Sequence, residues 1–525
     1  MASLRRNLGG GFFFVNIVFN TDYRLIFYLP YCLFCIFTLT TRIDMNVNEP
    51  GYENLNAETH LSAVFNKMNQ NVDKVKKSNA SQRILKLKLL RESILNHQNE
   101  MREAMNISFI KPALETDITE LLPVISHINL VVKNLSHWMK PERRPTPKEL
   151  FGAKSYVIHE PKGIVLILSP WNYAFNLLFD PLVSAIAAGN CAILKPSEAT
   201  PAAVKVIKKI VEAVFQPNEV YVAEGDARTA SYLTSLPFDH IFFTGSPAIG
   251  RLVMKAAAEN LASVTLELGG KSPAIVHQDA DISKTANSLV FAKFLNTGQT
   301  CIAPDYLLVH KDVVSKLSSA LIERIESCYG NTPEAIKSSP DFGRIVTEGN
   351  YLKIKSWLLR DIGQGARVIY GGNFDDYEKY IEPTLITNVN CESALMQNEI
   401  FGPVLPILEY STIDEALDFV KSLPKPLASY IFSKSSSLQE YVLANTTSGG
   451  TTINDCLLHN FNAHLPFGGV NNSGMGKGRG VYGFYEFSNV RGVLNAKSYV
   501  RIPELLSAPY TKMKYKIADI LLRWF

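Results

Sequence analysis

His240-Ile-Phe-Phe-Thr-Gly-Ser-Pro-Ala-Ile-Gly250 runs from a short apolar stretch, through a Gly-Ser-Pro turn, into a helical pattern that continues to Asn260. A strand leading through such a turn into a helix leaves backbone N–H groups and the positive end of a helix dipole free to hold a pyrophosphate. The stretch is not the Gly-x-Gly-x-x-Gly fingerprint. Nor is it a nucleoside-triphosphate loop, because Arg251 and Leu252 stand where Lys and then Ser or Thr are required. Alone it reads equally well as a tight structural turn. Its neighbours decide the fold. Gly163-Ile-Val-Leu-Ile-Leu-Ser169, Cys191-Ala-Ile-Leu-Lys195, Glu219-Val-Tyr-Val-Ala-Glu224 and Val264-Thr-Leu-Glu-Leu268 are similar apolar runs, separated by helix-like segments such as 200–215. Continuous apolar runs of this length suit parallel strands covered on both faces, so 163–269 reads as a doubly wound α/β sheet of the dinucleotide-binding kind.

Downstream the alternation resumes with Ala274-Ile-Val-His277, Tyr306-Leu-Leu-Val309 and a helix over 313–328, a second α/β domain. The chain then returns through Gly449-Gly-Thr-Thr-Ile-Asn-Asp455 and Pro466-Phe-Gly-Gly469 to a glycine-rich loop. Upstream, Leu61, Val64, Phe65 and Met68, then Ile84, Leu87, Leu90 and Ile94, have helical spacing, and Ser81 is placed to cap the second helix. Pro141, Pro145 and Pro147 mark a linker that cannot be helix. The expected organisation is a hydrophobic extension over 1–44 and N-terminal helices with a dinucleotide-binding domain over 45–268, completed by about 446–475. A second α/β domain over 269–445 and a C-terminal portion over 476–525 complete it.

Composition narrows the function classes. The chain has 525 residues, 46% hydrophobic and 19% charged, with a net charge of +4, which gives no bulk electrostatic case for nucleic acid. Seven cysteines, an odd number without repeated metal-ligand spacing, read as reduced thiols in a cytosol-facing or matrix-like compartment. Residues 1–44 stand apart: Arg5, Arg6 and Arg24 precede an uncharged run over 25–41 interrupted only by Pro30. Its length is at the short edge of a membrane span. A membrane anchor, a cleaved targeting segment and an extension upstream of a start at Met45 are three open readings. Within the anchor reading, monotopic insertion fits a reduced thiol better than a span. At the other end Lys512, Lys514, Lys516 and Arg523 interleave with Met513, Tyr515, Ile517, Ile520, Leu521, Leu522, Trp524 and Phe525. That pattern suits a membrane surface or a helix docked on protein.

The chemistry concentrates in 265–304. Glu267-Leu-Gly-Gly-Lys-Ser-Pro273 supplies a carboxylate and Gly298-Gln-Thr-Cys301-Ile-Ala-Pro304 a thiol. A cysteine is a strong nucleophile once it is a thiolate, and Glu267 could be the base that makes it one. These two signatures resemble those of the aldehyde dehydrogenase superfamily, and Cys301-Ile-Ala-Pro-Asp-Tyr-Leu is similar to its class 3 branch, which includes fatty aldehyde dehydrogenases. The resemblance runs from about Ala80 to about Leu522.

The resemblance implies a nucleophilic Cys301, a general base Glu267, and an oxyanion hole made by Asn172 of Pro170-Trp171-Asn172-Tyr173 with the Cys301 N–H. It also implies that Gly245, Ser246, Pro247, Ala248, Ile249 and Gly250 hold NAD, that Lys195 and Glu198 take the adenosine ribose, and that Glu399 and Phe401 take the nicotinamide end. A carboxylate at Glu198 should repel a 2′-phosphate, favouring NAD with NADP possible. Two positions depart from the pattern: Ala174 replaces a Pro, and Arg479-Gly480 stand where class 3 members often place a His. No metal is expected. A homodimer with a small oligomerisation strand is implied, as is a membrane-associated, cytosol-facing enzyme on endoplasmic reticulum, lipid droplet or mitochondrial outer membrane. The expected reaction is NAD-dependent oxidation of medium- to long-chain aliphatic aldehydes to acids through a thiohemiacetal and a thioester. Aromatic aldehydes, a silent NAD-binding protein and a thioester or ester hydrolase are the alternatives.

Overall fold

The apolar runs of the dinucleotide-binding region pair into a six-stranded sheet in the order Gly474–Met475, Ser263–Leu268, His240–Gly245, Ile164–Leu168, Cys191–Lys195, Val220–Val222. All are parallel except Gly474–Met475, which runs antiparallel to Ser263–Leu268. In a computed structural model the chain is described over residues 50–150, 152–496 and 507–524. By compactness it divides into Met1–Asn56 and Ala57–Phe525, and the second unit carries both large sheets. The expectations for residues 1–44 lie outside the described residues.

Strand alternation explains why the sheet is covered twice. Val165 and Ile167 join one core cluster with helices Ala80–Asn96 and Asn176–Ala188, while Ile164, Leu166 and Leu168 join another with Leu61, Val64, Phe65 and Met68. Side chains of successive residues point to opposite faces, so a strand buried on both sides must be apolar throughout. Each such side chain contributes about 1.5–3 kcal/mol by leaving water, so a charge at Leu166 would break the sheet at its centre. Helix Ala80–Asn96 is capped by Asn79, not Ser81: the Asn79 side chain accepts from the Gln82 N–H and Gln82 reciprocates. Ser81 falls inside the first turn, and the Asn-x-x-Gln spacing makes the reciprocal cap.

A seven-stranded sheet holds Arg367–Tyr370, Thr384–Thr387, Val404–Tyr410, Tyr306–His310, Pro273–Val276, Ala428–Phe432 and Gly450–Ile453, in that order. The last strand is a correction. Gly450–Ile453 pairs with Ala428–Phe432 and extends this sheet, whereas the expected completion of the dinucleotide-binding sheet over 446–475 involves only Gly474–Met475. A three-stranded antiparallel sheet combines Glu142–Arg144 from the proline-rich segment, Lys154–Pro161 and Ser488–Asn495. Residues 512–524 are a helix. Among the described residues no helix is long and apolar enough to cross a membrane.

Candidate active site

Strand order reverses between Ile164–Leu168 and His240–Gly245, and in open α/β sheets ligands bind at the carboxyl ends beside that reversal. Ser169 closes the first of these strands and Thr244 the second. Both hydroxyls are buried without a hydrogen-bond partner, as is Oε1 of Glu399. Buried polar atoms left unpaired cost about 1–3 kcal/mol each, so three in one region mark a place built for a ligand.

Ser246 caps helix Pro247–Glu259, its side chain accepting from the Ile249 N–H. The helix starts two residues beyond Gly245, after the Ser246 cap, so Gly245, Ser246, Pro247, Ala248, Ile249 and Gly250 form one strand end and first helical turn. A Cβ at Gly250 would come within 2.7 Å of Leu268, so only glycine lets the helix approach the sheet this closely. On the other side of the reversal, Lys195 ends its strand opposite Leu168, and its ammonium lies 2.6 Å from Glu198.

Glu399 and Phe401 arrive from the second domain. Lys271 and Asp305 form a buried pair at 2.6 Å, and Asp305 also accepts from the Ile400 N–H at 3.2 Å, which pins the loop between the two residues. A Cβ at Gly269 would fall 1.9 Å from Glu399 Oε2, so the carboxyl lies directly on the glycine backbone. Phe401 takes a left-handed φ of 57° and meets Trp171 edge-on at 5.5 Å. That conformation costs a bulky residue on the order of 1–3 kcal/mol and is kept only where the surroundings impose it. A nicotinamide dinucleotide fits this set: a helix N-terminus for phosphate, two free hydroxyls, an ion pair at the carboxyl end of an inner strand, and a carboxyl with one unpaired oxygen.

Cys301 follows a strained turn in which Asn296 and Thr297 have φ of 55° and 56°. Asn accepts this geometry, but β-branched Thr does not. Gln299 holds the turn: its Nε2 donates to the carbonyls of Asn296 and Arg344 at 3.1 and 2.9 Å, and its Oε1 accepts from the Val346 N–H at 3.0 Å. Both neighbours of the thiol are tied down, Thr300 to the Tyr173 hydroxyl at 2.5 Å and the Ile302 carbonyl to the Tyr430 hydroxyl. Asn172, buried, donates one amide hydrogen to the Gln299 carbonyl at 2.9 Å. Its second amide hydrogen remains available.

Glu267 lies on Ser263–Leu268, in register with Thr244 on one side and Gly474 on the other. Burial pushes its carboxyl up to about 8, against Arg479, which lowers it, and with Asp180, which raises it further. Burial pushes the Cys301 thiol up as well, and the charges of Glu399 and Glu267 add to that. A thiol that burial keeps protonated and a carboxyl that holds its proton up to about pH 8 are suited to nucleophile and base chemistry once substrate and cofactor bind. Of the expected site residues, Asn172 meets the turn before Cys301, Glu399 lies against Gly269, and Cys301 sits within the field of Glu267 and Glu399. Ser169 and Thr244 are additions that their strand-end positions could have revealed; Trp171, Asp305 and Arg479 stand within motifs already singled out, but their contacts depend on the tertiary fold.

A model of the aldehyde dehydrogenase family matches residues 52–493. The chain belongs to the aldehyde dehydrogenase family. It is 43% identical over 434 residues to the 4,4'-diaponeurosporen-aldehyde dehydrogenase of Staphylococcus aureus, covering 82% of this chain and 92% of that one. It is 38% identical over 444 residues to aldehyde dehydrogenase family 3 member H1 of Arabidopsis thaliana, covering 84% and 90%, so its relatives include class 3 members. Among solved structures, the substrate-bound state of Staphylococcus aureus AldH superposes with a TM-score of 0.83 at 40% identity, covering 88% of this chain and 99% of that one. This aldehyde dehydrogenase is accordingly an oxidoreductase acting on aldehydes, and its two parallel sheets are the family's mixed α/β fold.

Proposed function

We propose that this aldehyde dehydrogenase oxidises medium- to long-chain aliphatic aldehydes to carboxylic acids with NAD, at a membrane surface. The observation that carries the substrate class is the wall beside the thiol. Cys301 packs on the apolar cluster that contains Cys456, Leu457 and Phe467, and the same segment exposes Leu458, Phe461 and Leu465. Exposed apolar side chains leading to a partly buried nucleophile favour an alkyl chain, because each methylene buried there is worth about 0.8 kcal/mol. Phe461 and Phe467 also favour a second reading, an aromatic aldehyde.

In this mechanism Cys301 gives its proton to Glu267, which passes it on to solvent, and the thiolate sulfur attacks the carbonyl carbon. Asn172 donates its second amide hydrogen to the developing oxyanion together with the Cys301 N–H. When bound, the oxidised nicotinamide supplies the two-electron acceptor and a positive charge that favours the thiolate. Glu267 then takes a proton from water as the water oxygen bonds to the thioester carbon, and the C–S bond breaks to release the acid and the Cys301 thiolate. Trp171 and Phe401 screen the site from bulk water. Lys195, Glu198, the 245–250 turn and Glu399 bind the dinucleotide, and the negative charge of Glu198 favours NAD over NADP.

Helix Lys512–Trp524 supports surface binding: its lysines alternate with exposed Met513, Tyr515, Ile520, Leu521 and Leu522. Strand Ser488–Asn495 is an exposed edge bearing half-exposed Val490 and Leu494, which supports pairing with a second copy. Free thiols among the described cysteines support a reducing, cytosol-facing setting. The test is NADH formation by the full chain with hexadecanal, hexanal and benzaldehyde, with Cys301→Ala as control. Turnover best with hexadecanal and absent in Cys301→Ala is expected. A preference for benzaldehyde would move the assignment to aromatic aldehydes.

A further inference from the structure

Arg479 is one of the positions where this chain departs from the family pattern, and the fold gives it an unusual setting. It is 5% exposed, with a left-handed φ of 71°, between Gly478 and Gly480. A long side chain is driven into that conformation only if something holds it there. Its guanidinium lies over the Phe467 ring at 4.9 Å, donates from Nη1 to the Asn460 carbonyl, and brings Nε to 3.5 Å from Asp180 Oδ2.

The residue just before it lies beside the proposed base. A Cβ at Gly478 would be 3.3 Å from Glu267 Oε1, and Gly478 is fixed by its N–H donating to the Phe467 carbonyl at 2.6 Å. Behind Arg479, the Gly480 N–H donates to His127 Nε2 at 3.0 Å and His127 Nδ1 lies 2.9 Å from Asp180 Oδ1. Because a backbone N–H can only donate, Nε2 must offer its lone pair, which leaves the proton on Nδ1 for Asp180. His127 thereby donates Nδ1–H to Asp180 Oδ1 and orients the carboxylate. Burial pushes Asp180 up, yet His127 and Arg479 outweigh it and hold the carboxyl below its ordinary value.

We infer that Arg479 is a positioning residue for Glu267, a buried permanent cation that sets when that carboxyl can take the proton of the hydrolytic water. This rests on the proposed role of Glu267 as base. The other charged groups acting on Glu267 are Asp180 on the helix Asn176–Ala188, Lys477 on the glycine-rich loop and Glu486 on the helix Gly480–Glu486. Lys477, held on the carbonyls of Gly468 and Gly469, is a second cation of smaller effect than Arg479, and Glu486 is an anion that acts in the opposite sense. A guanidinium stays charged across the working range, whereas a His at this position would lose its charge near neutrality. The substitution therefore fixes the field at Glu267 instead of letting it titrate.

The test uses the full chain without cofactor. A p-nitrophenyl ester acylates Cys301, and the rate of acyl-enzyme breakdown is followed against pH in the wild type, Arg479→Met, Arg479→Lys and Arg479→His. Loss of the cation in Arg479→Met should move the acid limb up by about one pH unit, a deacylation rate about tenfold lower on that limb that recovers at high pH. Arg479→Lys should leave the midpoint where it is. Arg479→His should shift it upward as Met does, which keeps the test usable if the Met variant does not fold. Equal loss of rate at every pH in all three variants, or an unmoved limb in both Met and His, would overturn the inference and leave Arg479 a tether for the Asn460–Phe467 segment. Failure of the parent reading is separate: it would show as no acyl-enzyme in the wild type, or as breakdown unaffected by Glu267→Gln.

Discussion

The Asn172 side chain and the Gln299 backbone are joined by a 2.9 Å hydrogen bond that crosses from the end of one sheet's strand to the turn carrying the nucleophile. The bond fixes the amide and leaves its second hydrogen free to donate. Asn172→Ala removes both strut and donor, and kcat is expected to fall on the order of a hundredfold or more, measured by NADH formation. Folding should survive, because the lost bond is worth only about 1 kcal/mol.

Glu267→Gln should separate the two halves of the reaction. The thioester still forms in proportion to enzyme, but its hydrolysis loses the base. The expected record is a burst of NADH close to one equivalent per active site followed by a slow phase, read by rapid mixing. A full steady-state rate without a burst would remove Glu267 from the role.

Turnover should rise with pH. Glu267 is pushed from an ordinary 4.5 to about 8, chiefly by burial. The base form is therefore scarce at neutrality and abundant above about pH 8, so the wild-type deacylation profile should climb through that value. Linkage gives the stability sign: between 4.5 and about 8 the folded state binds more protons at this site than the unfolded one, so its contribution to stability falls as pH rises through that window. Glu267→Gln should flatten that part of the denaturation profile.

Gly269→Ala places a Cβ where Glu399 Oε2 now sits, 1.9 Å away. The carboxyl must move, so KM for NAD should rise about tenfold or more while acylation of Cys301 by an ester continues. Equal loss of both activities would mean that the turn, not the cofactor contact, has failed.

Charge reversal of Lys512, Lys514 and Lys516 to Glu should abolish co-sedimentation with anionic phospholipid vesicles while oxidation of soluble hexanal persists. Each lysine near such a surface is worth about 1 kcal/mol. Retained vesicle binding would transfer the surface role to another part of the chain.

Much of this protein could be read from its sequence because its strands are chemically simple. A strand buried on both faces must be continuously apolar, so Gly163–Ser169 and Cys191–Lys195 announced themselves, and the glycine, glutamate and cysteine motifs carried the family with them. The same simplicity hid sheet membership, since Gly450–Ile453 looks alike in either sheet and only packing put it beside Ala428–Phe432. The Asn79 cap was legible in its Asn-x-x-Gln spacing, and Ser81 merely stood nearer the apolar run. What tertiary structure alone decided is the electrostatic setting: His127 and Gly480 are 353 residues apart, and Asp180, Arg479 and Glu267 meet only when three segments fold together. Local pattern reports burial and backbone conformation, whereas the field at a buried carboxyl depends on charges that the chain brings near from anywhere along its length.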